Sequence, residues 1–324
     1  MVEINSAKHL EGFEDFKFSK GFDKNLLTNT HKIPVTEDYT QIHTYLTPVN
    51  DIDPDNIQFV MPALEPLDLE ITDKSLKNSH ISLQIKNNTV FINNIPFLLT
   101  DYADLGDSYN NGPKEDDSGS DFIVVRSKIL YSGKYRAILR IDFEGARDIV
   151  TLNAVLDKNS AYIKFEFNWT NTQKNHLLEA KFSLPSLIKE VYSEDMNVMI
   201  KRKFDSKYDI RKNLPQQRGL EARTNTAPMQ RGLLIDEKKN NIGIITKGLT
   251  QYEIFGKELL IPILRCTASI SNPKNPARTT PAGPPIETPA LQMQGFNKAE
   301  MYVFFGNLSE FENVLHQVYN YIII

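Results

Sequence analysis

From about residue 57 to 185, apolar and polar side chains alternate with a period of two, and turn-forming residues recur roughly every ten positions. Successive side chains of a strand point to opposite faces, so this pattern demands sheets with one buried and one wet face. In the run Tyr-Ile-Lys-Phe-Glu-Phe-Asn-Trp from Tyr162 to Trp169, Ile163, Phe165, Phe167 and Trp169 form the core face, and Tyr162, Lys164, Glu166 and Asn168 the wet one. The same reasoning predicts strands over 67–71, 81–85, 89–92, 122–131, 135–143, 149–156 and 177–184. Between them lie Lys86-Asn-Asn, Ser132-Gly-Lys, Asp157-Lys-Asn-Ser and Asn171-Thr-Gln-Lys-Asn, residues that tolerate tight or positive-φ turns. Short connections make neighbouring strands antiparallel.

The alternation breaks over 192–231, a polar, basic stretch read as a long loop, and resumes in 232–236, 242–246, 252–255 and 259–264. A second loop is predicted over 271–289, where Pro273, Pro276, Pro281, Pro284, Pro285 and Pro289 deny the backbone the donors a ladder needs. After a last strand from Glu300 comes the one helix signal. Ser309 with Glu312 has capping-box spacing, and Phe311, Val314, Leu315, Val318, Tyr319 and Ile322 form an apolar stripe. The predicted architecture is therefore all-β: a large antiparallel two-layer sandwich over 58–324 with a single C-terminal amphipathic helix, preceded by an irregular lead-in over 1–57.

Composition narrows the chemistry. Of 324 residues, 37 are Lys or Arg and 41 Asp or Glu, a formal charge of −4 that gives no reason to expect a nucleic-acid or anionic-membrane partner. One cysteine, Cys266, allows no intrachain disulfide and no Cys-rich zinc site, and it reads as a small buried apolar residue. No apolar run approaches the roughly 20 residues of a membrane span, and the first residues lack the order of a signal peptide, so a cytoplasmic location is expected. Asp51, Asp53 and Asp55 have a calcium-loop look, but Pro62 stands where an EF-hand needs its bidentate glutamate.

The densest polar segment begins Thr100-Asp-Tyr-Ala-Asp-Leu-Gly-Asp-Ser-Tyr-Asn-Asn and is read as a loop carrying Asp101, Asp104, Asp107, Tyr109, Asn110 and Asn111. It is either a solvated acidic loop or a sugar-binding one, in which carboxylates and amides take hydroxyl protons and tyrosine offers an aromatic face. His176 is either a structural histidine at a turn or, with a nearby carboxylate, an acid–base pair. Arg265 ends an apolar strand and either meets an acidic loop residue or lies on the surface. Histidines at metal-ligand spacing, a nucleophile elbow and a dinucleotide fingerprint are all missing from the sequence.

Several segments, in order, resemble the C-terminal β-domain region of glycoside hydrolase family 38 α-mannosidases, including the bacterial mannosylglycerate-hydrolase-like branch. They are Val60-Met-Pro-Ala-Leu, Leu76-Lys-Asn-Ser-His-Ile-Ser-Leu, Gly106-Asp-Ser-Tyr, Asn175-His-Leu-Leu-Glu, Gly248-Leu-Thr-Gln-Tyr, Leu260-Ile-Pro-Ile-Leu-Arg-Cys, Ala282-Gly-Pro-Pro and Gln292-Met-Gln-Gly. Glu65 and Glu179 depart from it, standing where glycine and arginine are common in the family. The resemblance covers about 58 to 305 and implies a supersandwich of galactose-mutarotase-like architecture. It further implies that cleavage of an α-mannoside, the zinc ion and the catalytic aspartate belong to a catalytic domain absent from this chain. This chain would then supply no catalytic residue and no metal ligand, and would shape the sugar pocket through Asp107, Tyr109 and Arg265. The apolar end, Tyr319-Asn-Tyr-Ile-Ile-Ile, is consistent with such a separation. Two other readings stand beside it: a freestanding carbohydrate-binding or scaffold module, and a mutarotase-like epimerase using His176.

Overall fold

The computed structural model describes residues 69–115, 117–205, 219–236 and 241–320. The predicted lead-in over 1–57, the Asp51–Asp55 turn and Ile322 lie outside them. In chain order the strands are β1 (Glu70–Thr72), β2 (Ser75–Lys77), β3 (Ser82–Lys86), β4 (Thr89–Ile92), β5 (Ile95–Ala103), β6 (Ser120–Asp121), β7 (Ile123–Ser132), β8 (Arg136–Glu144), β9 (Ile149–Asp157) and β10 (Tyr162–Asn171). They continue as β11 (His176–Ser183), β12 (Glu190–Asp195), β13 (Val198–Lys203), β14 (Thr226–Pro228), β15 (Gly232–Ile235), β16 (Ile242–Thr246), β17 (Gln251–Phe255), β18 (Glu258–Arg265) and β19 (Gly295–Phe304), followed by helix α1 (Leu308–Asn320).

These strands form two sheets. One has the order β1-β2-β3-β4-β5-β11-β18-β17-β14, with β6 added beside β5, and the other the order β13-β12-β15-β16-β19-β10-β9-β8-β7. Every strand pair described is antiparallel. The turns explain the short connections: Asn87, Asn88, Asn93 and Asn94 all take positive φ, and each pair closes a two-residue hairpin. Two strands tie distant parts of the chain together. β11 sits between β5 and β18, and β19 inserts between β10 and β16.

The two inner faces meet in one continuous core. Phe97 of the first sheet packs on Phe143, Phe165 and Phe167 of the second and on Phe182 beside it, with ring centroids 5.0–6.4 Å apart. The core face predicted for β10 is buried as expected, and its charged face is not. Helix α1 covers part of the outer face of the second sheet, seating Phe311, Val314, Leu315 and Val318 on Leu234, Ile245, Tyr302 and Phe304.

Three expectations need correction. Residues 192–231 are not simply a loop: most of β12, together with β13 and β14, lies there, and the basic residues Lys201, Arg202 and Lys203 belong to an edge strand. Thr100 and Asp101 are strand residues of β5, not loop residues. The helix is capped two residues earlier than predicted. Asn307 Oδ1 accepts from the Glu310 N–H (3.0 Å) while a Glu310 carboxylate oxygen accepts from the Asn307 N–H (2.9 Å), so the box is Asn307–Glu310. Among the described residues no helix is long and apolar enough to cross a membrane.

Removing the ring at the centre of the aromatic cluster should be costly. Phe97→Ala is expected to lose about 3–5 kcal/mol of unfolding free energy, read as a lower urea midpoint at unchanged slope. An unchanged midpoint would show that the two sheets are not held together through this layer.

Candidate functional site at the loop end of the sandwich

Three connections meet at one end of the sandwich: the loop after β5, the β10–β11 turn and the long segment from Cys266 to Gln294. Hydrogen bonds stitch them together. The Asp104 N–H reaches the Asn175 carbonyl (2.8 Å), the Cys266 N–H the His176 carbonyl (2.8 Å), and the Ser108 hydroxyl the Ile270 carbonyl (2.7 Å).

Two buried aspartates organise the loop after β5. Asp104 Oδ1 accepts the N–H groups of Gly106 and Gly112, each at 2.8 Å, and its Oδ2 accepts Arg265 Nε at 2.7 Å. Arg265 also donates to the Asp107 carbonyl at 2.7 Å. Asp107 is fully buried, and its Oδ1 accepts the Tyr109 and Asn110 N–H groups at 3.1 and 3.4 Å. Its Oδ2 takes the Asn272 N–H at 2.6 Å and the Arg278 guanidinium. Burial alone would raise the Asp107 pKa, but the Asn272 N–H, Arg278 and the Tyr109 N–H favour the charged form and hold it below the ordinary carboxylate value. Gly106 is required here because a Cβ would collide with the Asn110 carbonyl.

Tyr109 is 57% exposed. One face of its ring lies over the Arg278 guanidinium, 5.7 Å from centroid to carbon, and its hydroxyl end lies against Gly283. Arg278 is itself buried and also donates to Asn110 Oδ1 and Ser271 Oγ. The loop thus presents a braced aromatic ring on a rigid base of ion pairs, a surface suited to stacking on a sugar's C–H face.

The residues singled out in the sequence therefore play different parts. Tyr109 is exposed at the loop surface. Asp107 is buried, with both carboxylate oxygens occupied by four donors, the Tyr109, Asn110 and Asn272 N–H groups and the Arg278 guanidinium, so in this structure it shapes the loop. Arg265 meets an acidic loop residue, Asp104, and is likewise committed to the scaffold. Asn111 is buried, and Asp101 has moved onto a strand. Sequence reasoning passed over Arg278, hidden in a proline-rich stretch, and the amide pair Asn175–Gln292, which exchanges hydrogen bonds of 2.8 and 2.7 Å.

Behind the loops, His176 is 5% exposed, with Nδ1 2.7 Å from Asp101 Oδ1 and Nε2 3.1 Å from Asn171 Oδ1. The carboxylate that an acid–base role requires is present, but neither ring nitrogen faces solvent. Cys266 is fully buried, and its sulfur accepts from Asn171 Nδ2 at 3.3 Å. Among the described residues no group of three or more His, Cys, Asp or Glu side chains could hold a metal ion, so these residues offer no fit for zinc.

No family model and no curated protein matches the sequence. Among solved structures, the chain is similar to a glycosyl hydrolase family 38 protein from Enterococcus faecalis, with a TM-score of 0.65 and 16% identity, over 83% of this chain and 34% of that one. It is also similar to an α-mannosidase from Enterococcus faecalis V583, with a TM-score of 0.64 and 16% identity, over 86% of this chain and 35% of that one. The chain thus spans about a third of either neighbour. A galactose mutarotase related enzyme from Lactobacillus acidophilus superposes at a TM-score of only 0.34 and 8% identity, over 73% of this chain and 98% of that one, too loosely to compare architectures. At these identities the likeness establishes the fold: a large, almost wholly antiparallel β-sandwich shared with part of family 38 hydrolases.

The Asp107–Arg278 pair gives a direct test of the loop's construction. Removing one partner of a buried pair strands the other, so Arg278→Met should destabilise the protein by about 3–5 kcal/mol. In an Asp107→Asn background the same change should cost markedly less, as a double-mutant cycle measures. Because the Asp107 pKa is lowered in the fold, its contribution is present above the ordinary aspartate value of 3.8 and lost as pH falls through the lower folded value. Asp107→Asn should therefore flatten the acid limb of the stability profile, and an unaltered limb would refute the assignment.

Proposed function

We propose that this chain is the β-sandwich portion of an α-mannosidase-like glycoside hydrolase. In this reading it shapes one side of the sugar pocket and supports a catalytic domain that is not part of the chain. The carrying observation is the superposition on family 38 hydrolases over more than four-fifths of this chain and only about a third of theirs, 83% against 34% in one pair. That most of the neighbour has no counterpart here supports a division of labour. The resemblance of Gly106-Asp-Ser-Tyr and Asn175-His-Leu-Leu to the family's segments, with its mannosylglycerate-hydrolase-like branch, supports an α-mannoside as the sugar.

The chemistry of the loop fits that part. Tyr109 is more than half exposed with Arg278 over its ring, and a guanidinium against a ring fixes its tilt without consuming the phenol. Asp104, Asp107 and Arg265 spend their charges inside the loop, so the surface offered to a sugar is preorganised. Acid–base catalysis at a glycosidic bond needs carboxyl groups roughly 5 to 9.5 Å apart facing the substrate. The buried aspartates of this loop are not placed to do that.

Purified chain with added zinc and a nitrophenyl α-mannoside should show no turnover above buffer. Turnover lost in Tyr109→Ala would place the chemistry within this chain and overturn the division of labour. Calorimetry with mannose and mannosylglycerate should find weak binding that Tyr109→Ala reduces about tenfold or more, near 1.4 kcal/mol. Binding by a protein whose reading frame upstream of Met1 carries no His and Asp zinc-ligand segment would favour a freestanding carbohydrate-binding module instead.

A further inference from the structure

His176 occupies a position that hydrogen-bond chemistry can interpret without reference to any substrate. Its Nε2 meets Asn171 Oδ1, and the orientation of that amide is fixed by its other contacts. Asn171 Nδ2 donates to the backbone carbonyls of Gln292 and Met293, at 3.0 and 3.3 Å, and Asn171 Oδ1 accepts the Gln173 N–H at 2.9 Å. Oδ1 is therefore an acceptor, and Nε2 must carry a proton. On the other side Nδ1 lies 2.7 Å from Asp101 Oδ1, and an ionised carboxylate only accepts. Both ring nitrogens face acceptors, which a neutral imidazole, with one N–H, cannot satisfy.

We infer that His176 is a buried imidazolium, and that this charge is the clamp that joins the two sheets and positions the three site connections. Asp101 and His176 belong to the first sheet, and Asn171 ends β10 of the second. From Asn171 the contacts pass to Gln292 and Met293, which lie just before β19, and Gln292 returns to Asn175. The carbonyls of Asn175 and His176 hold Asp104 and Cys266, the first residues of the two loops around Tyr109. No step of this path touches the Tyr109 ring, so His176 acts as a positioning residue. The inference depends on the proposed function only for the name of the site.

Other charged and titratable groups near the ring agree with a cation. Asp101 on β5 and Cys266 after β18 face it, and Asp148, in the β8–β9 turn, lies one step out through Gln173, which donates to Asp148 at 2.6 Å and to Asp101 at 3.4 Å. Burial pushes the ring's pKa down, but hydrogen bonding and charge interaction with Asp101 and Cys266 outweigh it and carry the value up to about 9. The folded state thus holds this proton more tightly than a free imidazole of pKa about 6.5. The resulting stabilisation is whole below that value and is lost as pH rises through about 9. A group locked in this state is a poor acid–base catalyst near neutral pH, which argues against an epimerase built on His176.

The test is nitrogen-15 NMR of the histidine side chains from pH 6 to 10.5, on the full chain without sugar, with His176→Gln assigning the resonance. The expected result is two protonated ring nitrogens at pH 7.5 and a transition near pH 9. Backbone signals of 104–113 and 266–294 should move with the same midpoint. If His176→Gln does not fold, Asp101→Asn serves instead: it keeps the ring, removes the carboxylate and should lower the midpoint by at least about one pH unit, a tenfold change in proton affinity. One unprotonated ring nitrogen at pH 7.5 would overturn the imidazolium. A charged ring whose titration leaves the loop signals unmoved would overturn its positioning role. Because no sugar is present, failure of mannose binding would bear on the proposed function alone.

Discussion

The structure depends on the burial of two inner faces against each other. Neither sheet can hide its alternating apolar side chains alone, and the layer around Phe97, Phe143, Phe165, Phe167 and Phe182 is where they meet. Each fully buried aromatic side chain contributes on the order of 1.5–3 kcal/mol relative to exposure. That is enough for the aromatic layer to fix how the sheets face each other, and hence which strand ends lie together at one end. The loops carrying Tyr109 and Arg278 inherit their proximity from this arrangement.

At that end, charge builds shape. Asp104 and Asp107 look from their residue types like ligands for sugar hydroxyls, yet each is encircled by donors from its own protein. A buried carboxylate is tolerated only when its acceptor sites are filled, and filling them folds the loop around it. Arg265 and Arg278 reach the loop from residues more than 150 positions away, which ties the local turn to the sheet behind it. The arrangement leaves an aromatic face outside and keeps formal charges inside.

Much of this fold was legible in the sequence. β4 falls where alternation placed it, because its side chains obey a simple inside–outside rule, whereas β16 falls where predicted as a continuous buried run, its two faces covered by the main core and by the cluster around α1. The failures have physical causes. β5 runs on through Thr100 and Asp101 to Ala103, polar residues on a strand because Asp121 and His176 satisfy them, and partner residues so far away are invisible to a local pattern. β13 is an edge strand whose basic side chains stay wet, so no alternation marks it. The helix offered two boxes with the same spacing, and the structure uses Asn307 with Glu310, not Ser309 with Glu312. At the site, the exposed tyrosine was legible as a residue type, whereas the assignment of aspartates to scaffolding required knowing that Arg265 and Arg278 converge on them.

The place of β19 bears on how the polypeptide reaches its native state. Its residues, Gly295–Phe304, occupy the slot between β10 and β16, so β10 has only β9 beside it until synthesis has passed Phe304. During synthesis a ten-residue strand with four large apolar side chains, Ile163, Phe165, Phe167 and Trp169, therefore waits with one edge bare. Such an edge invites pairing with other nascent chains. Closure must await contacts across well over a hundred residues, which makes late, slow completion a property of the topology itself.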